Sequence, residues 1–284
     1  MTAIEAPWPA PAKINLFLHV VGRRPDGYHL LQTHFQFLDH GDDLRFVIRG
    51  DGLIRRTSEL ADVPPEQDLV VRAAQALKAA SGTALGVDIE VVKRLPMGGG
   101  LGGGSSNAAT VLRALDVLWE TRLGVDRLAA IGLALGADVP VFVRGVAAWA
   151  EGVGEQLTSL DSDEPWTLVI HPGCSVPTAA VFKHPELTRN TPALKIATLP
   201  LTAMHNDCEP ITRHLYPAVG EALDWLAAHA PSRMSGTGAC VFASFASEEA
   251  ARGTASQVPS QWTWFVARRR NRSPLLDRLA IGPD

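Results

Sequence analysis

The chain of 284 residues is long enough for one large domain or two medium ones with a full core, which excludes a disulfide-stapled mini-protein. Hydrophobic residues make up 46% and charged residues 20%, a globular composition that excludes a disordered or fibrous chain. With 26 basic against 30 acidic residues the net charge is −4, so no global field draws the chain to nucleic acid or an anionic membrane.

The most apolar window, residues 129–143, is broken by Asp138 and Pro140 and is shorter than the roughly 18 to 20 residues a bilayer crossing needs. The first basic residue is Lys13, behind Glu5 and prolines 7, 9 and 11, which is no secretory leader, and a cytoplasmic protein without membrane attachment is expected. Cys174, Cys208 and Cys240 are an odd number without CxxC spacing and read as core thiols; the nine histidines lack any paired-ligand spacing.

In chain order, residues 12–21 alternate Ile14, Leu16, Leu18 and Val20 against Lys13, Asn15, Phe17 and His19, the period of a half-buried strand with Lys13 and Asn15 on one face. A lysine there must reach solvent or meet an anion. A strand is predicted at 43–49, a helix at 68–80 and a strand at 87–93. A helix carrying Ala108, Val111, Leu112, Leu115 and Trp119 follows, with Ser105 or Ser106 as its cap, and then a helix over 126–135 ending at Gly136. The polar segment 157–165, with three acidic residues and a closing proline, marks a domain boundary near residue 160. Beyond it lie a strand at 166–171, helices near 177–182 and 209–228, a strand at 240–245, a helix after Glu248 and a strand at 262–267. Arg268, Arg269, Arg270 and Arg272 read as a solvated C-terminal face.

The sharpest local signal is the segment Leu95 to Asn107, with six glycines between a predicted strand and a predicted helix. Glycine reaches positive φ and carries no Cβ, so consecutive amides can converge on phosphate oxygens while the helix N-terminus adds partial positive charge. Gly98, Gly100 and Gly103 formally satisfy GxGxxG, but the acid a dinucleotide fold needs about twenty residues on is absent, since Asp116 sits inside the helix. No GK[ST] follows Gly103, and the protein-kinase HRD and DFG signatures are missing. An RNA-binding module built on the arginine run is disfavoured by the net charge.

Together these residues resemble the GHMP kinases, small-molecule kinases with Pro-x-x-x-Gly-Leu-Gly-Ser-Ser loops. The resemblance is carried in order by Pro11-Ala12-Lys13-Ile14-Asn15-Leu16, Gly22 to His29, Pro96 to Asn107, Gly136-Ala137-Asp138-Val139-Pro140, Asn206 to Pro210 and Ser235 to Cys240. It implies a two-domain α+β fold, a ribosomal-S5-like nucleotide domain at 1–160 and a ferredoxin-like substrate domain at 161–284, with an unusual left-handed crossover. It further implies ATP as co-substrate, accompanied by Mg²⁺ on ligands the sequence leaves open beyond the Ser106 hydroxyl, and a small-molecule cytidyl diphosphate acceptor. Another acceptor, such as mevalonate, homoserine or a sugar, is the alternative. By the same resemblance Asp138 is the base and Lys13 its cationic neighbour. Pro96, Met97, Gly98, Gly99, Gly100, Leu101, Gly102, Gly103, Gly104, Ser105 and Ser106 hold ATP, closed over by Ser235-Gly236-Thr237-Gly238. Asn15, Tyr28, His29 and Phe182 hold the acceptor. From residue type alone, Asp138 reads first as a turn or cap aspartate and Tyr28-His29 as a packing pair, and it is the resemblance that reverses both readings. A monomer or homodimer is expected, with no nucleic acid partner.

Overall fold

A computed structural model describes residues 6–59, 64, 67–196 and 204–281. Its frame is a long antiparallel hairpin, β1 (Trp8–Arg23) and β2 (His29–Arg49), turned at Gly27 in the left-handed region, φ +91°. Residues 10–20 of β1 are all buried, so the half-buried strand expected from the alternation is covered on both faces. Register shifts at Pro11/Lys13, Asn15/Leu18 and Val20/Gly22 also break the strict two-residue period. β2 runs well upstream of the expected 43–49, because its buried polar residues Gln32, Thr33, His34 and Gln36 hide a strand pattern.

The chain continues through β3 (Ile54–Arg56), α1 (Leu69–Ser81), β4 (Gly86–Val92), α2 (Gly103–Leu118), α3 (Val125–Leu135), α4 (Val139–Arg144), β5 (Ala148–Glu151) and β6 (Gln156–Ser159). It then forms β7 (Trp166–His171), α5 (Thr178–Lys183), α6 (Glu209–Leu215), α7 (Pro217–Ala227), β8 (Ser232–Met234), β9 (Val241–Phe245), α8 (Glu248–Ala255), β10 (Thr263–Arg270) and α9 (Pro274–Ile281). The sheet runs β3-β4-β2-β10-β7-β9-β8, with β1 and β5 also on β2 and β6 on β5, and the fold is mixed α+β. One core packs α1, α2 and α4 against β1, β2 and β4; a second gathers α6, α7 and α8 on β7 and β9.

Local physics explains where the elements depart from expectation. Asp68 caps α1 by accepting from the Val70 amide at 2.9 Å. α2 is capped by Gly102 at φ +72° instead of by Ser105 or Ser106, and the Ser106 hydroxyl donates to the Pro11 carbonyl at 2.7 Å. The helix expected over 209–228 is two helices, because Pro217 drives Tyr216 out of the helical region to φ −134°, ψ 79°. The arginine run is no solvated face throughout. Its first three members lie in β10, where Thr263–Arg268 pair with β7 and Arg269 and Arg270 pair with Leu38 and Phe37 of β2, while Arg268 and, beyond the strand, Arg272 keep exposed side chains.

The strand β4 hands over to the glycine-rich segment through one buried carboxylate. Asp42, fully buried in β2, accepts from Lys93 Nζ at 2.5 Å and from the Arg94 and Leu95 amides at 2.8 and 2.9 Å. Removing one partner of such a pair leaves uncompensated charge and orphaned amides. Asp42→Ala is therefore expected to lower unfolding free energy by about 3–5 kcal/mol in urea titrations, with Asp42→Asn losing less because it keeps an acceptor for the amides.

Candidate active site

The lysine that the sequence left between solvent and an anion is 3% exposed and fully partnered. Lys13 Nζ donates to Asn15 Oδ1 at 2.6 Å and to the Gly100 carbonyl at 3.0 Å, and it lies 3.5 Å from Asp138 Oδ2. An ammonium has three donors, and this arrangement directs one at the carboxylate. Asn15 Nδ2 in turn donates to Thr33 Oγ1 at 2.9 Å, whose hydroxyl donates to the Phe17 carbonyl, so the β1–β2 pair fixes the amide's orientation. The Phe35 ring lies 5.3 Å from the ammonium. Asp138 stands at the N-terminal cap position of α4, with Pro140 in the first turn, rather than in a free loop. Its side chain is about one-third exposed, against 4% for Lys13, so the carboxylate is reachable from the cleft.

The glycine segment is built for close approach. Gly98, Gly100 and Gly102 have φ of +67°, +74° and +72°. A Cβ on Gly100 would lie 2.2 Å from the Ser235 carbonyl and 2.9 Å from that of Gly238, while one on Gly102 would meet the Phe142 ring at 2.8 Å. The second small-residue loop, Ser235 to Gly238, is thus packed backbone to backbone against the first. Ser235 Oγ accepts from the Asn15 amide at 3.3 Å and donates to the Gly100 carbonyl at 2.9 Å; Cys240 N donates to the Gly99 carbonyl at 3.0 Å. Asn206 Nδ2 donates to the Met234 and Gly236 carbonyls at 3.0 and 2.7 Å and holds this second loop from behind.

Between the loops opens a cleft of about 520 Å³ lined by Lys13, Asn15, Asp138, Lys93, Phe182 and the segment from Pro96 to Ser105. Gln67 to Val70 line it as well, as do Thr178 and Thr237, whose hydroxyls are 3.2 Å apart. Lys13, Asn15 and Asp138 are brought together with the glycine segment. Ser106 is not among the lining groups, since its buried hydroxyl is spent on Pro11. His29 stacks on Phe182 with centroids 5.1 Å apart and planes at 22°, and Tyr28 projects from the β1–β2 turn, 65% exposed; Phe182 lines the cleft, whereas His29 and Tyr28 stand outside its lining. Partial burial and the neighbouring Arg189 and Arg23 hold the His29 imidazole below its usual pKa.

Sequence reasoning missed Thr33, Lys93 and Asp42, which act from the middle of β2 and the end of β4, where no motif marks them. Gly100→Ala combines a left-handed φ with a backbone clash. It is expected to weaken nucleotide binding at least tenfold by calorimetry while leaving the far-ultraviolet circular dichroism unchanged.

Residues 68–146 match the family model for the GHMP kinases N terminal domain, and residues 195–263 match the one for GHMP kinases C terminal. A 4-diphosphocytidyl-2-C-methyl-D-erythritol kinase of Alkalilimnicola ehrlichii is 58% identical over 272 residues, covering 96% of this chain and 94% of the relative. A crystal structure of a 4-(cytidine 5'-diphospho)-2C-methyl-D-erythritol kinase superposes with a TM-score of 0.80 at 33% identity, covering 93% of this chain and 98% of its own. The Methanococcus jannaschii mevalonate kinase, 13% identical at a TM-score of 0.69 over 95% of this chain and 100% of its own, shares the fold. With relatives this similar along nearly its whole length, the chain belongs to the GHMP kinase family, among its 4-diphosphocytidyl-2-C-methyl-D-erythritol kinases.

Proposed function

We propose that this protein transfers the terminal phosphoryl group of ATP to the 2-hydroxyl of 4-diphosphocytidyl-2-C-methyl-D-erythritol, giving the 2-phosphate and ADP in the methylerythritol phosphate route to isoprenoid precursors. The observation that carries the chemistry is the Lys13–Asp138 pair, 3.5 Å apart in the cleft beside the glycine segment. A hydroxyl is a poor nucleophile at neutral pH, and a positioned carboxylate that takes its proton contributes roughly 10²–10⁴ in rate. Asp138 is that base. Lys13, held by Asn15 and Gly100, keeps the carboxylate oriented and offsets negative charge gathering on the transferring group.

ATP's phosphates fit the amides of the glycine segment and the first turn of α2, whose leading N–H groups have no helical partner. Lys93, at the other end of the segment, lines the same cleft with its ammonium paired to Asp42. Among the described residues no cluster of three acidic, histidine or cysteine groups is placed to hold a metal ion. Mg²⁺ would arrive with ATP on phosphate oxygens and water, the manner usual for this cation. The acceptor's cytidyl end fits the His29–Phe182 stack, with the exposed Tyr28 free to fold over it. A mevalonate, homoserine or sugar acceptor would leave that stack without a role.

Most of the cleft lining comes from segment 1–160, and segment 161–284 adds Thr178, Phe182, Gly236 and Thr237, which fits a nucleotide domain followed by a substrate domain. No described helix is long and apolar enough to cross a membrane, and a cytoplasmic monomer or homodimer acting without nucleic acid fits the reaction.

ADP release with Mg-ATP, offering the cytidyl acceptor beside mevalonate, homoserine and galactose, is expected with the cytidyl acceptor alone; turnover of another would discard the substrate. Asp138→Asn should lower kcat at least a hundredfold while KM for ATP stays within about threefold, and near-normal turnover would sink the base assignment. Tyr28→Ala should raise KM for the cytidyl acceptor about three- to tenfold, leave KM for ATP unchanged, and leave the melting temperature unmoved because the ring is exposed.

A further inference from the structure

Behind the His29–Phe182 stack lies a cation that no motif drew attention to. Arg189 follows α5 and is tied down by main-chain carbonyls: Nη1 donates to Leu187 and Pro185 at 2.9 and 3.2 Å, and Nη2 to His184 and Phe182 at 2.7 and 3.2 Å. That leaves Nε, which donates to His29 Nε2 at 3.1 Å. One guanidinium therefore grips both members of the stack, the backbone of Phe182 and the ring of His29.

The donor–acceptor chemistry of that contact has one solution. A guanidinium has five N–H donors, no acceptor, and does not deprotonate. His29 Nε2 must accept, which places the ring proton on Nδ1. We propose that Arg189 is a positioning residue that fixes His29 as its Nδ1–H tautomer, so that the ring offers the bound base a hydrogen-bond donor. Cytosine carries two adjacent acceptors, N3 and O2, beside its N4 amino donor, and a histidine restricted to donation matches the acceptor pair. The surroundings agree with a neutral ring. Arg189 and Arg23 both face it and, with partial burial, disfavour the imidazolium, while Asp26, the acid of the same turn, is engaged by Arg24 and the Tyr28 amide. The benefit to catalysis is advance ordering: the tautomer is set before substrate arrives, so binding need not select it.

The proposal rests on the cytidyl reading for its ligand, but its first test does not. In the full chain with ¹⁵N-labelled histidine, His29 is assigned by comparison with His29→Gln, and its two ring nitrogens are read at pH 7. A protonated Nδ1 with an unprotonated Nε2 is expected. The opposite tautomer, or an imidazolium, would overturn the assignment whatever the substrate proves to be.

The second test compares two variants. Arg189→Gln is expected to raise KM for the cytidyl acceptor about tenfold, with kcat and KM for ATP within twofold. It should also move the acid limb of kcat/KM for that acceptor upward toward the ordinary histidine pKa of about 6.5. Arg189→Lys, which keeps a cationic donor but cannot reach four carbonyls, should recover most of the affinity and the wild-type pH limb. If both variants lose equally, or if ATP and acceptor suffer alike, Arg189 only holds its loop and the proposal falls. Turnover of a different acceptor would refute the cytidyl reading and leave the nitrogen assignment to decide the tautomer.

Discussion

The site depends on two main-chain loops approaching more closely than any side chain would permit. The Gly100 Cα sits where a single added carbon would press on the Ser235 carbonyl at 2.2 Å, so contact between the loops requires glycine at that point. Everything chemical is referred to this contact. The Gly100 carbonyl takes both Lys13 Nζ and Ser235 Oγ, and Asn15 joins the same cluster through its own amide and side chain. The Lys13 ammonium is thus positioned by backbone, and the backbone is positioned by an absence of side chains.

Such crowding needs anchors away from the cleft, and the chain uses buried polar groups for them. Asp42 ties the end of β4 to β2 at the entrance of the first loop, and Asn206 ties the second loop from its rear. Asp207, beside it, accepts from the Val20 amide at 2.6 Å and Thr191 Oγ1 at 2.7 Å, which brings β1 to the second core. Each of these carboxylates and amides has its partners within the protein, as burial demands. The cost of losing one is large because the others cannot be rehydrated in place.

Much of this was legible in the sequence and some was not, for physical reasons. The unusual backbone of the glycine segment was legible because no other residue type serves its positive φ values, and the Lys13/Asn15 spacing correctly placed two polar groups near each other. Burial of β1 on both faces was not legible, since period-two alternation reports residue type and cannot show that a second layer covers the polar face. Nor was α4, whose six residues give no helical period, although its start decides how Asp138 is presented. The split at Tyr216 was readable in retrospect from Pro217. Arg189 could not have been found by pattern, because its partners are carbonyls and a ring 160 residues away.

The position of β10 in the sheet has a consequence for the birth of the molecule. β7 has β9 on one side and β10 on the other, and β10 also reaches β2, so the strand that closes the gap is supplied by residues 263–270, near the end of the chain. Until those residues leave the ribosome, the main-chain donors and acceptors along one side of β7 have no strand to meet, an open edge of the kind that recruits other chains. The run of arginines in this closing strand, at 268 to 270, carries charge of the kind that disfavours pairing between like strands.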